Sequence, residues 1–187
     1  SLQKLYAHDT NIEGDTLVHL KGKDMLVLDL EGTYIGEPES FEIIKDMVNL
    51  EKLALDGEYI DLTLLSGHTA LKELTLSGDS ESGSLDPISE LTNLETLHIS
   101  SCKVPNNLDF LVPLTNLRVL ELFSIQQTDS GTIDTNAIAN LSDLERLSMV
   151  NMWVTDIDSF ANLKNVVNLN LYQTTVRGES VDMAPIG

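Results

Sequence analysis

Leu91-Thr92-Asn93-Leu94-Glu95-Thr96-Leu97-His98-Ile99-Ser100-Ser101-Cys102-Lys103-Val104 is the stretch from which the rest of the chain is read. Apolar residues stand at Leu94, Leu97 and Ile99 and again at Val104, a spacing that is neither purely helical nor purely alternating. It describes a short strand that enters and leaves a buried line. The spacing recurs with first residues at Leu2, Met25, Leu50, Leu71, Leu94, Leu117, Leu144 and Val166, at intervals of 23, 25, 21, 23, 23, 27 and 22 residues. Positions one, four and six are apolar in every copy, from Leu2, Leu5 and Ala7 to Val166, Leu169 and Leu171.

A period of this length with this strand pattern marks leucine-rich repeats, in which each coil needs its neighbours to bury its apolar face. The expected fold is an α/β solenoid, a right-handed horseshoe. A concave parallel sheet of about eight strands lines its inside, with mixed 3₁₀ and short α-helical segments on the convex side. Residues 1–187 are expected to form one domain. The chain opens in the middle of a repeat, and the polar caps that solenoids need are missing, so the array is expected to be excised from a longer protein.

With 30 acidic against 11 basic residues the net charge is -19, a field that repels phosphate backbones and anionic lipid. Nucleic acid and membrane surfaces are therefore not expected as direct partners, and membrane insertion is not expected because no run approaches the ~18 apolar residues of a span. The single cysteine, Cys102, builds neither an internal disulfide nor a zinc site. His8, His19, His68 and His98 lack the paired spacing of a metal helix, and there is no phosphate-binding glycine loop or nucleophile elbow. No cofactor, metal or catalytic role is expected.

Between the strands, Leu17 and Leu20 point back into the core, as do Leu62 and Leu65 in a connector with room only for a tight turn or 3₁₀ segment. Pro38 followed by Phe41, Ile44, Met47 and Val48 suggests a short α-helix. Two polar loops, 77–84 and 126–132, leave the same end of their strands and are expected on one rim.

The segments Asp86-Pro87-Ile88-Ser89-Glu90-Leu91-Thr92-Asn93-Leu94 and Leu111-Val112-Pro113-Leu114-Thr115-Asn116-Leu117 resemble the back segments of bacterial internalin-type leucine-rich repeats. The resemblance extends over nearly the whole chain as repeat pattern. It implies a binding module, since such proteins mostly bind other proteins, many at bacterial surfaces. One departure is plain: the ninth position, asparagine in that family, holds Thr10, Thr33, Glu58, Asp79, Cys102, Ile125, Met152 and Thr174. Ile125 and Met152 cannot bond to neighbouring turns, which predicts local irregularity in the second half of the array.

Alternation sends positions four and six inward, so positions three, five and seven face the concave side. Column seven reads His8, Glu31, Asp56, Ser77, Ser100, Phe123, Val150 and Tyr172, polar for five turns and apolar for three. Phe123, Val150 and Tyr172 are expected to form an apolar ridge about 10 Å long, with Trp153 at the rim. Val119, Glu121, Arg146 and His98 surround it, and these eight residues are the candidate partner-binding set. In the N-terminal half, Asp29, Glu31, Asp56 and Glu73 form an acidic patch relieved by Lys4 and Lys52. The leading expectation is a protein-binding segment of a bacterial surface or secreted protein. The sequence leaves two others open: a cytoplasmic scaffolding subunit that binds an enzyme, and the substrate-selecting segment of a larger effector.

Overall fold

The computed structural model describes residues 2–12, 14–33, 38–56, 61–78, 84–104, 106–127 and 131–177. Most of the two polar loops, the tail 178–187, and Glu58 and Asp79 of column nine lie outside the described residues.

Among the described residues twelve strands follow one another: β1 Lys4–Tyr6, β2 Val27–Asp29, β3 Lys52–Asp56, β4 Glu73–Ser77, β5 Thr96–Ser100, β6 Lys103–Val104, β7 Val119–Phe123, β8 Gln126–Gln127, β9 Arg146–Val150, β10 Trp153–Val154, β11 Asn168–Asn170 and β12 Thr175–Val176. Eight of them form one parallel sheet in the order β1-β2-β3-β4-β5-β7-β9-β11, one strand per coil. Register is set by the repeat itself: Leu74 pairs with Leu97, Leu97 with Leu120 and Leu120 with Leu147, so like positions stack. This is the leucine-rich-repeat fold expected from the period.

Positions one and four explain the stacking. Met25, Leu50, Leu71, Leu94, Leu117 and Leu144 are fully buried, as are Leu28, Leu53, Leu74, Leu97, Leu120 and Leu147. Toward the ends burial falls off: Leu2 is 45% exposed, and Leu5, Val166, Leu169 and Leu171 are only partly buried.

All seven helical segments among the described residues are 3₁₀, from Gly14–Leu20 to Asp158–Asn162. The α-helix expected after Pro38 is a 3₁₀ helix, Pro38–Asp46. The spacing contains the reason: Phe41, Ile44 and Met47 recur every third residue, the 3₁₀ period, and all three are buried while Val48 is exposed. His68, fully buried on the next coil, donates from Nε2 to the Ile44 carbonyl at 2.9 Å and ties two back segments together.

Column eight turns the chain off the strand. Asp9, Gly32, Gly78, Ser101, Ser124, Asn151 and Gln173 all have positive φ, between 49° and 115°. The amides of Asp9, Ser101, Ser124 and Asn151 reach the next coil, as Ser124 N does to the Val150 carbonyl at 2.9 Å and Asn151 N to the Tyr172 carbonyl at 3.0 Å. Left-handed backbone costs a side-chain-bearing residue about 1–2 kcal/mol, most for β-branched ones. Ser124→Val is therefore expected to destabilise the fold by about 2 kcal/mol, whereas Ser124→Gly shifts it by less than about 1 kcal/mol. The midpoint of urea unfolding measures the difference.

Column nine departs from the irregularity expected of it. Thr33 and Thr174 donate their hydroxyls to the sixth-position carbonyls of the preceding coils, Ala7 and Met149. Cys102, buried, points its thiol at the Ser100 carbonyl at 3.3 Å. Ile125 and Met152 are buried apolar residues instead. The backbone beside them is ordered by two further parallel pairings at the rim, β6 with β8 and β10 with β12. Main-chain ladder bonds replace the missing side-chain ones.

Candidate functional site

The sheet brings together seven of the eight candidate residues. Phe123 and Val150 are register partners on β7 and β9 and are half-buried. Tyr172 lies just beyond β11, its carbonyl accepting from Asn151 N, and its side chain projects with 65% of its surface exposed. Behind this ridge, His98, Glu121 and Arg146 sit on consecutive strands. His98 Nδ1–H donates to Glu121 Oε2 at 3.1 Å, and Arg146 Nη1 lies 3.8 Å from the other carboxylate oxygen. A carboxylate only accepts, so this contact fixes the histidine tautomer. The His98 ring packs on Phe123 with centroids 5.1 Å apart. Val119, partly buried between Thr96 and Arg146, completes the floor.

Trp153 stands apart from this group. The left-handed turn at Asn151 carries the chain off the concave sheet, and β10 pairs with β12 in a separate two-stranded sheet. The indole is 42% exposed, and the Arg177 guanidinium stacks 3.6 Å from its ring centroid.

The N-terminal half of the concave face is acidic. Lys52 bridges Asp29 at 3.9 Å and Glu73 at 3.6 Å, and His8 also approaches Asp29 at 3.9 Å. Among the described residues no ion pair reaches Glu31 or Asp56, which line a cleft of about 470 Å³ with His8, Asp9 and Ser77. Expected exposure fails at Val27, Asp29, Ala54 and Ser148, which are buried: Val27, Ala54 and Ser148 lie between taller register partners, and Asp29 lies beside Tyr6 with Lys52 drawn to its carboxylate.

A larger groove of about 980 Å³ runs along the edge where the chain enters the strands. Its lining was missed in the sequence, although the Thr-Asn-Leu signature points to it. Asn93, Asn116 and Asn165 donate from Nδ2 to the Thr69, Thr92 and Ser142 carbonyls at 2.8–2.9 Å, an asparagine ladder at the position before the first leucine. Beside it, charges alternate as Glu51, Lys72, Glu95, Arg118 and Glu145. Lys72 pairs with Glu51 at 3.4 Å, and Arg118 bonds Glu145, whose carboxylate holds the guanidinium above its ordinary pKa. The asparagine ladder and the Lys72–Glu51 and Arg118–Glu145 pairs tie coil to coil, so the groove is a seam of the stack.

Among the described residues no group of three or more histidine, cysteine, aspartate or glutamate side chains is placed to hold a metal ion. Nor is any described helix long and apolar enough to cross a membrane.

No family model matches the sequence, and no curated protein matches it either. Solved structures do match. Internalin C2 from Listeria monocytogenes superposes with a TM-score of 0.78 at 23% identity, over 98% of this chain and 75% of that one. A second internalin of that organism gives 0.65 at 19% identity, over 99% of this chain and 64% of that one. The Arabidopsis receptor kinase HAESA, solved with the peptide hormone IDA and a co-receptor, gives 0.72 at 21% identity over 93% of this chain. This chain spans only 30% of the length of that receptor chain. At these identities the likeness establishes the leucine-rich-repeat fold.

Proposed function

We propose that this chain is a non-catalytic protein-binding module that takes its partner on the C-terminal half of the concave sheet, within a bacterial surface or secreted protein. The observation that carries the reading is the ridge of Phe123, Val150 and Tyr172 standing beside the His98–Glu121–Arg146 cluster. Apolar and aromatic side chains exposed together on a rigid sheet, with charged groups held in fixed geometry around them, have the composition of an interface centre. The sheet provides the rigidity, since β5, β7 and β9 are paired over five residues each. A protein-binding role is consistent with the receptor of similar fold that was solved with a peptide hormone. The surface assignment follows the internalin likeness.

A photo-crosslinking residue in place of Tyr172 tests this. Exposed to secreted and surface proteins of the source cell and its surroundings, it is expected to trap one protein that the same group in place of Val112, exposed on the convex back, leaves unlabelled. Equal labelling from both positions contradicts the assignment of the face.

A further inference from the structure

Along column seven the concave face changes character in one direction. His8, which approaches Asp29, comes first, then Glu31 and Asp56, then Ser77 and Ser100, then Phe123, Val150 and Tyr172. The two carboxylates at the N-terminal end form no ion pair among the described residues, because Lys52 is already drawn to Asp29 and Glu73. Ser77 stands at the wall of the same cleft with its hydroxyl buried and without a hydrogen-bond partner. The two serines are short, so between the acids and the ring of Phe123 the face is a low floor.

Resting on the proposed concave interface, we infer that the occupant is an extended segment of a protein partner lying across the strands, with a basic side chain at Glu31 and Asp56 and a large apolar side chain against Phe123 and Tyr172. Charge complementarity selects it: unpaired carboxylates at one end attract a cation, and a second copy of this chain, at a net charge of -19, is repelled. Geometry sets the spacing. Asp56 on β3 and Phe123 on β7 are separated by three strand intervals, since β4 and β5 lie between them. Three intervals of ~4.8 Å make about 14 Å, and an extended chain rising ~3.3 Å per residue covers that in about four residues. The ridge alone would accept many apolar segments. The acidic cleft at this distance restricts them to segments with a lysine or arginine about four residues from the apolar anchor.

Fluorescein-labelled peptides test this against the intact chain. One carries two arginines, a Ser-Gly-Ser spacer and a phenylalanine, made in both orders; a second has glutamates for the arginines; a third places the phenylalanine directly beside the arginines. The spaced peptide in one order is expected to bind at least tenfold more tightly than the other two, and raised salt is expected to weaken it. Glu31→Gln with Asp56→Asn is expected to remove most of that advantage and the salt response while leaving the thermal midpoint in place. If those variants bind the spaced peptide as wild type does while Phe123→Ala weakens it, the cationic pairing is wrong and the concave interface stands. If neither change matters, both are wrong. Absence of binding by the spaced peptide, or dimers of this chain in sedimentation, overturns the inference.

Discussion

Leu120→Ala is expected to lower the free energy of unfolding by about 3 kcal/mol, within the range for a leucine removed from a closed core. Leu120 is fully buried between Leu97 and Leu147, its register partners on either side. Alanine leaves a cavity that two stiff coils cannot collapse to fill. Stability in a solenoid is a sum of coil and nearest-neighbour interface terms, and this residue sits in two interfaces at once. Leu169 occupies the same repeat position in the last strand of the sheet but packs against one neighbour and is only partly buried. Leu169→Ala is expected to cost about 1 kcal/mol. Urea unfolding monitored by circular dichroism separates the two. Equal losses would mean that the last coil is covered as completely as the middle ones.

The fold was legible because the repeat is a statement about packing. Leucines at positions one, four and six have to stack on their counterparts, so strand register followed once the copies were aligned. The back of the array was legible in its apolar residues and misread in its helix type. Phe41, Ile44 and Met47 fit three residues per turn better than 3.6, and only Val48, which is exposed, favoured the α reading. Column nine was judged by side-chain hydrogen bonding alone. Backbone pairing of β6 with β8 and of β10 with β12 depends on how neighbouring rims approach one another, which no single repeat encodes.

The face itself was read correctly as columns, because alternation within a strand is local. What each column exposes was less legible. Ser148 is buried between Glu121 and Asn170 and Asp29 beside Tyr6, whereas Trp153 lies at the rim as expected but in a sheet apart from the ridge. Column eight, with glycine, serine, aspartate, asparagine and glutamine and no β-branched residue, carried a signal for left-handed backbone that periodicity in apolar residues does not detect. The asparagine ladder was visible as Thr-Asn-Leu, but its purpose depends on a carbonyl one coil away.

On the proposed reading, binding resides in side chains of the concave ridge that the fold itself does not need. Tyr172 is 65% exposed and Phe123 rests half-buried on the His98 ring, so neither closes the core between Leu120 and Leu122 below. Truncating either removes an aromatic anchor, worth about 2 kcal/mol or more at the centre of an interface. It leaves the stacked leucines untouched. The direct measurement is the affinity of Phe123→Ala and Tyr172→Ala, each alone, for the partner trapped at position 172, with the thermal midpoint taken on the same samples. The expected result is at least about tenfold weaker binding with midpoints close to that of the unsubstituted chain. Normal binding by both variants, with sharply lowered midpoints, would make the ridge part of the core and move the interface elsewhere.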